Sequence, residues 1–73
     1  MKPERIVELI KLKDKELRDK DQAGVTQSSI ADELGLRQPA VNQVIHKRQT
    51  SRRIQDKICE VIGYPFEEVF GKG

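Results

Sequence analysis

A chain of 73 residues has about the length of one small domain, and a core of that size leaves little room for an elaborate enzyme pocket. Cys59 is the single cysteine and His46 the single histidine, which excludes a disulfide framework and every zinc pattern built on paired Cys or His ligands, so no cofactor is expected. The formal net charge of +2 is unevenly laid: Gly35 to Gln55 holds no Asp or Glu but carries Arg37, Lys47, Arg48, Arg52 and Arg53, leaving nine basic against 12 acidic residues elsewhere. Such clustering fits a surface that docks on phosphates or a solvated basic face, and charge alone leaves both open.

The first segment, Pro3 to about Asp19, places Ile6, Leu9, Ile10 and Leu17 at near-helical spacing, with Pro3 suited to a first turn. It is predicted to be an amphipathic helix. Its charges from Lys11 to Asp21 nearly cancel, which marks a solvated face rather than a membrane-binding stretch. The charged start of the chain, with no apolar run to serve as a signal peptide or span a bilayer, leads us to expect a soluble, cytoplasmic protein.

Gln22, Ala23 and Gly24 interrupt the pattern. Thr26 then stands where an N-cap hydroxyl would accept a bond from a new helix beginning near Gln27. Ile30, Ala31 and Leu34 fall on one face of it, Ser28, Ser29, Asp32 and Glu33 on the other, and Gly35 supplies a C-terminal stop. After Gly35-Leu36-Arg37, a third helix is predicted from about Gln38 to His46, with Pro39 in its first turn and Val41, Val44 and Ile45 on its apolar face. Ser51 is the N-cap candidate for a fourth helix, whose inner stripe is Ile54, Ile58, Val61 and Ile62 and which Gly63 ends. Tyr64 to Phe70 reads as a turn and one short helix, giving five helices and an all-α fold.

The second and third helices, with a short glycine-containing turn between them, form a helix-turn-helix unit over Gln27 to Ile45. Ala31 must be small where the helices cross, Gly35 must turn tightly, and Ile30, Leu34, Leu36, Val41 and Val44 lock the pair together. A general helical hairpin reproduces part of this pattern.

On these residues the chain resembles the phage lambda and 434 repressor and Cro-like (XRE-type) family. Gln27 to Gly35 looks like the scaffold helix of that family and Leu36 to Val44 its recognition helix. Ile58 to Gly63 and Phe66 to Phe70 are similar to its fourth and fifth helices. The resemblance implies a compact five-helix domain that presents Gln38, Pro39, Asn42 and Gln43 to bases in the major groove. Glutamine and asparagine amides form paired hydrogen bonds with adenine N6 and N7, and Pro39 offers apolar contact only. Gln27 corresponds to a position that contacts phosphate and braces the recognition glutamine, here Gln38. Arg37, His46, Lys47, Arg48, Arg52 and Arg53 become phosphate contacts. Many relatives end the recognition helix with Asn-Gly where this chain has His46-Lys47. This departure implies a helix one turn longer and weakens the phosphate role of His46. Phe66 and Phe70 either cap the core or form the two-fold contact of a homodimer.

The expectation is a sequence-specific regulator of transcription, a small Cro- or repressor-like protein that binds an inverted repeat of double-stranded DNA as a homodimer and needs no small-molecule ligand. The chain ends soon after the fifth helix, which suits a Cro-like protein without an autocleavage domain. A rival is an antitoxin-like adaptor that uses the same scaffold to hold a protein partner, against which the basic segment argues. An enzyme is not expected: no nucleophile with a base, metal cluster or phosphate-cradling glycine loop is present. His46, alone, reads as a polar helix-end residue, and Cys59 as a small buried hydrophobe.

Overall fold

Each run of apolar residues at helical spacing becomes one helix in the computed structural model, which describes residues 1–71. The elements are α1 (Pro3–Asp19), α2 (Gln27–Glu33), α3 (Gln38–Ile45), α4 (Arg52–Ile62) and α5 (Phe66–Val69), with no strand among the described residues. The fold is all-α. No helix among these residues is long and apolar enough to cross a membrane.

The core is made almost wholly of β-branched aliphatics. Ile6 and Ile10 of α1, Ile30 and Ala31 of α2, Val41, Val44 and Ile45 of α3, and Ile54 and Ile58 of α4 are buried, joined by Cys59, Val69 and Phe70. Every buried residue among those described is apolar or cysteine, so closing the core buries no charge completely. Leu9, Leu17, Val61 and Ile62, expected on inner faces, are only half-buried, and of these Val61 and Ile62 pack against the core. Helix α4 is the common partner: α1, α2, α3 and α5 all pack against it, and α2 packs closely on α3. Ala31, fully buried, is the small residue that this approach requires.

The connections are fixed by hydrogen bonds rather than by length. Thr26 caps α2 through its Oγ1, which accepts from the Ser29 amide at 3.1 Å, while the Ser29 hydroxyl oxygen accepts from the Thr26 amide at 2.8 Å. Ser29 thus turns back to close a capping box instead of facing solvent. Ser51 occupies the N-cap of α4, but its side chain makes no capping bond. Between α1 and α2, the Asp14 carboxylate accepts from the Val25 amide at 2.8 Å and from Arg18 Nε at 3.0 Å. Gly24 makes room for that carboxylate, since a Cβ there would fall 1.9 Å from Asp14 Oδ1. At the opposite end, the Met1 ammonium donates to the carbonyls of Glu68 and Val69, both at 3.2 Å, tying the start of α1 to α5.

Helix α3 does not extend by a further turn. It stops at Ile45, with His46 as C-cap and Lys47 in the left-handed region at φ 60°. Two bonds close this end: Lys47 N–H to Val44 O at 3.0 Å and Arg48 N–H to Gln43 O at 2.9 Å. That is the Schellman pairing, which needs a left-handed residue but not a glycine. Lysine adopts the conformation at a cost of about 1–2 kcal/mol from its Cβ. The same pair of bonds ends α1, where Asp21 is left-handed at φ 57°, and α2, where Gly35 is at φ 70°.

Two substitutions test these connections by urea denaturation. Lys47→Gly is expected to raise stability by about 0.5–1 kcal/mol, the relief of the Cβ outweighing the extra freedom of the unfolded chain; an unchanged midpoint would show the turn to be unstrained. Gly24→Ala is expected to lower stability by about 1–2 kcal/mol by displacing Asp14 from the Val25 amide, and its effect should largely disappear in an Asp14→Ala background.

Candidate nucleic-acid interface

Helix α3 owes its exposed face to the placement of its apolar residues. Val41, Val44 and Ile45 take the buried side, so the 100° step per residue turns Pro39, Gln43 and His46 outward, where all three are exposed. Gln38, in the first turn, is also exposed, whereas Asn42 is half-buried on the flank next to α2. The outward face therefore presents Gln38, Pro39, Gln43 and His46, with Asn42 at its edge.

Gln27, the first residue of α2, is held by the Thr26 cap beside that edge. Its Oε1 accepts from Asn42 Nδ2 at 3.4 Å in a partly buried setting. The brace expected between Gln27 and Gln38 is thus made to Asn42 instead, because Asn42 lies on the flank that α3 turns toward α2. Gln27 and Gln38 instead share the lining of a groove of about 230 Å³ with Thr26, Ser28 and Lys11. The signal was present in the sequence, since Asn42 is one turn after Gln38 on the same side of the helix; spacing alone did not show which of the two reaches α2.

The cations of the acid-free segment separate into two groups. Arg37 at the N-cap of α3, and Lys47 and Arg48 just beyond its C-terminus, are exposed and make no ion pair among the described residues. Arg52 and Arg53 are already engaged. The Arg52 Nε donates to Asp56 Oδ1 at 2.9 Å, and its guanidinium lies 4.1 Å from the centre of the Phe66 ring. The Arg53 Nη2 donates to the Leu34 carbonyl at 3.2 Å, closing the end of α2 from across the turn. The Arg52 and Asp56 spacing of one helical turn was legible in the sequence. The Arg53 contact joins residues 19 positions apart and had no local signal.

Phe66 and Phe70 meet with ring centroids 5.7 Å apart. Phe70 is buried within the chain, 9% exposed, which leaves it little surface for a partner. Phe66 is half-buried and lines a groove of about 550 Å³ with Val44, Lys47, Arg52 and Gln55. On α4, burial and then the neighbouring Asp56 carboxylate push the Cys59 thiol up, so the thiolate that would make it a nucleophile is disfavoured.

Away from this face, Lys57 bridges α4 to α2 through Glu33 Oε2 at 2.7 Å. The hydrogen bond to Glu33 raises the Lys57 pKa above its ordinary value of 10.5, against an opposing effect of burial. A raised folded pKa contributes stability that is present below 10.5 and is lost as pH climbs through the folded value. Lys57→Met should accordingly lose stability in the neutral range, and the gap from the parent chain should narrow at pH above 10.5; a gap independent of pH would assign the effect to packing. A scan against protein-family models and searches of curated proteins and of solved structures return no match to this chain.

Proposed function

We propose that the protein is a sequence-specific double-stranded DNA-binding regulator of transcription, of the Cro or repressor kind, that inserts α3 into the major groove and acts as a homodimer on an inverted repeat in the cytoplasm. The observation that carries this reading is the surface of α3. It presents an outward face of amides without a carboxylate, flanked at one end by Arg37 and at the other by Lys47 and Arg48, all exposed and without ion pairs among the described residues. Amides read base edges, and cations beyond both ends of a helix reach the two phosphate strands that border a groove.

Gln38 and Gln43 are the exposed base readers, with Asn42 at the edge and Pro39 offering apolar contact. Arg37, Lys47 and Arg48 lead the phosphate contacts, with His46 beside them. Arg52 and Arg53 take a smaller share, because a phosphate must compete with Asp56 and with the Leu34 carbonyl for them. Phe66, half-buried in the lining of its groove, is the residue we assign to the two-fold contact, and half-sites about 34 Å apart follow from that symmetry. That same groove, lined by Val44, Phe66 and Phe70 together with the cations Lys47 and Arg52, favours a second reading in which the chain chiefly holds a protein partner.

Band-shift titrations on duplex DNA at several salt concentrations separate the two. DNA binding predicts retardation that weakens steeply with salt, whereas no retardation at low salt would leave the adaptor. Within the first outcome, Gln38→Ala should reduce affinity for a selected site by about 1–3 kcal/mol with little change on random DNA. Arg48→Ala should weaken both and reduce the salt slope by about one. An equal loss on both duplexes for Gln38→Ala would remove it from the base-reading set.

A further inference from the structure

Gly35 and Gly63 take the left-handed turns after α2 and α4, at φ 70° and 75°, and Asp21, after α1, is a residue type that tolerates the region. Lysine is not. The φ of 60° at Lys47 is strained, and strain of this kind collects where a side chain is put to use. A phosphate contact alone does not call for it, because exposed Arg48 already places a cation at that end of α3. What distinguishes Lys47 from Arg48 is that Lys47 lines the groove of about 550 Å³ shared with Phe66.

The chemistry of that groove is one-sided. Val44, Phe66 and Phe70 line it with carbon and Lys47 and Arg52 with positive charge, and no carboxylate lines it among the described residues. Arg52 is held in place beforehand, its Nε on Asp56 at 2.9 Å and its guanidinium 4.1 Å from the centre of the Phe66 ring. Its two Nη groups keep their donors free among the described residues. Asp56 offsets part of the Arg52 charge, which leaves Lys47, without an ion pair among the described residues, as the stronger attraction for an anion. A cleft of this size encloses more than a single ion. A phosphate strand answers the cations but brings nothing to cover Phe66, whereas an apolar side chain set between carboxylates answers both.

We propose that this groove docks an acidic amphipathic peptide segment of a regulatory protein, with an apolar side chain against Phe66 and carboxylates on Lys47 and Arg52, and that docking displaces DNA. The inference goes beyond the DNA-binding reading and takes from it only the role of Lys47 toward phosphate. The peptide contests Lys47 with the duplex and Phe66 with a second copy of the chain, so one docking event opposes both.

The test selects a displayed library of random peptides on the immobilised full chain, then measures the enriched peptide by fluorescence polarisation. Enriched peptides are expected to be acidic around one or two apolar residues. Lys47→Gly, which keeps the turn closed, should weaken their binding by about fivefold, and Phe66→Ala by about tenfold or more. Arg48→Ala, outside the groove, should leave peptide binding unchanged while weakening DNA binding. Thermal denaturation identifies variants that remain folded. In band shifts the peptide should release the duplex from the parent chain. Peptides without acidic bias, or binding equally well to Lys47→Gly and Phe66→Ala, would overturn the proposal. Peptide and duplex bound together would overturn the displacement. If no acidic peptide is enriched the proposal fails, and a sedimenting dimer lost in Phe66→Ala then assigns the groove to a second copy. If the parent chain retards no duplex at low salt, the DNA-binding reading fails by itself, since peptide binding is measured without DNA.

Discussion

Helices α2, α3 and α5 are far too short to exist alone. They have seven, eight and four residues, well under the dozen or so at which even favourable sequences become marginally helical in water. They persist because α4 offers each of them an apolar stripe. Ile54 and Ile58 are essentially inaccessible to solvent, and each contributes on the order of 1.5–3 kcal/mol through burial. In a domain whose whole stability is of the order of 5–15 kcal/mol, those two isoleucines hold the rest in place. The exposed face of α3 therefore depends on residues that never approach it: α4 supports Val41, Val44 and Ile45 from behind, and the Thr26 cap and the Asp14 to Val25 bond set the angle at which α2 arrives.

Rigidity of this kind comes at little electrostatic expense. Among the described residues the core contains no charged side chain, and most of the ion pairs are one-turn contacts on exposed helix surfaces, each worth a fraction of a kcal/mol. Lys57 to Glu33 differs in joining two helices. Asp14, Glu8, Glu16, Glu33, Asp56 and Glu60 pair with cations on α1 and α4 or just beyond α1, while Arg37, Lys47 and Arg48 make no ion pair among the described residues around α3. Charge segregation that was visible along the sequence becomes segregation in space.

The helices themselves were legible because their causes are local. Ile6 and Ile10 one turn apart, Thr26 before an apolar pattern, Pro39 in a first turn and Gly63 after a last one each act within a few residues of where they stand. What is not legible in the sequence has one of two origins. The stop of α3 at Ile45 rests on Lys47 taking a conformation that lysine rarely adopts, so the residue type gave no warning and the absence of glycine suggested a longer helix. The partners of Gln27 and Arg53 depend on how two helices are rotated against each other, which apolar spacing narrows to a face but not to a single side chain. Gln27 thus bonds Asn42 where Gln38 was expected, and Arg53 closes the end of α2 rather than standing free. By sequence Phe70 fits either core or interface, and its depth is set by how α5 packs on α4, which no short motif encodes.

The Gln27 to Asn42 contact bears on how such a surface could change over evolutionary time. Pro39, Gln43 and His46 carry no part of the core and can be exchanged one at a time without disturbing the scaffold. Asn42 cannot be exchanged so freely, because its amide is joined to a residue on another helix. A graft of this face onto a related scaffold would have to move residues from both helices together, so the transferable unit is a corner of the fold rather than a single helix.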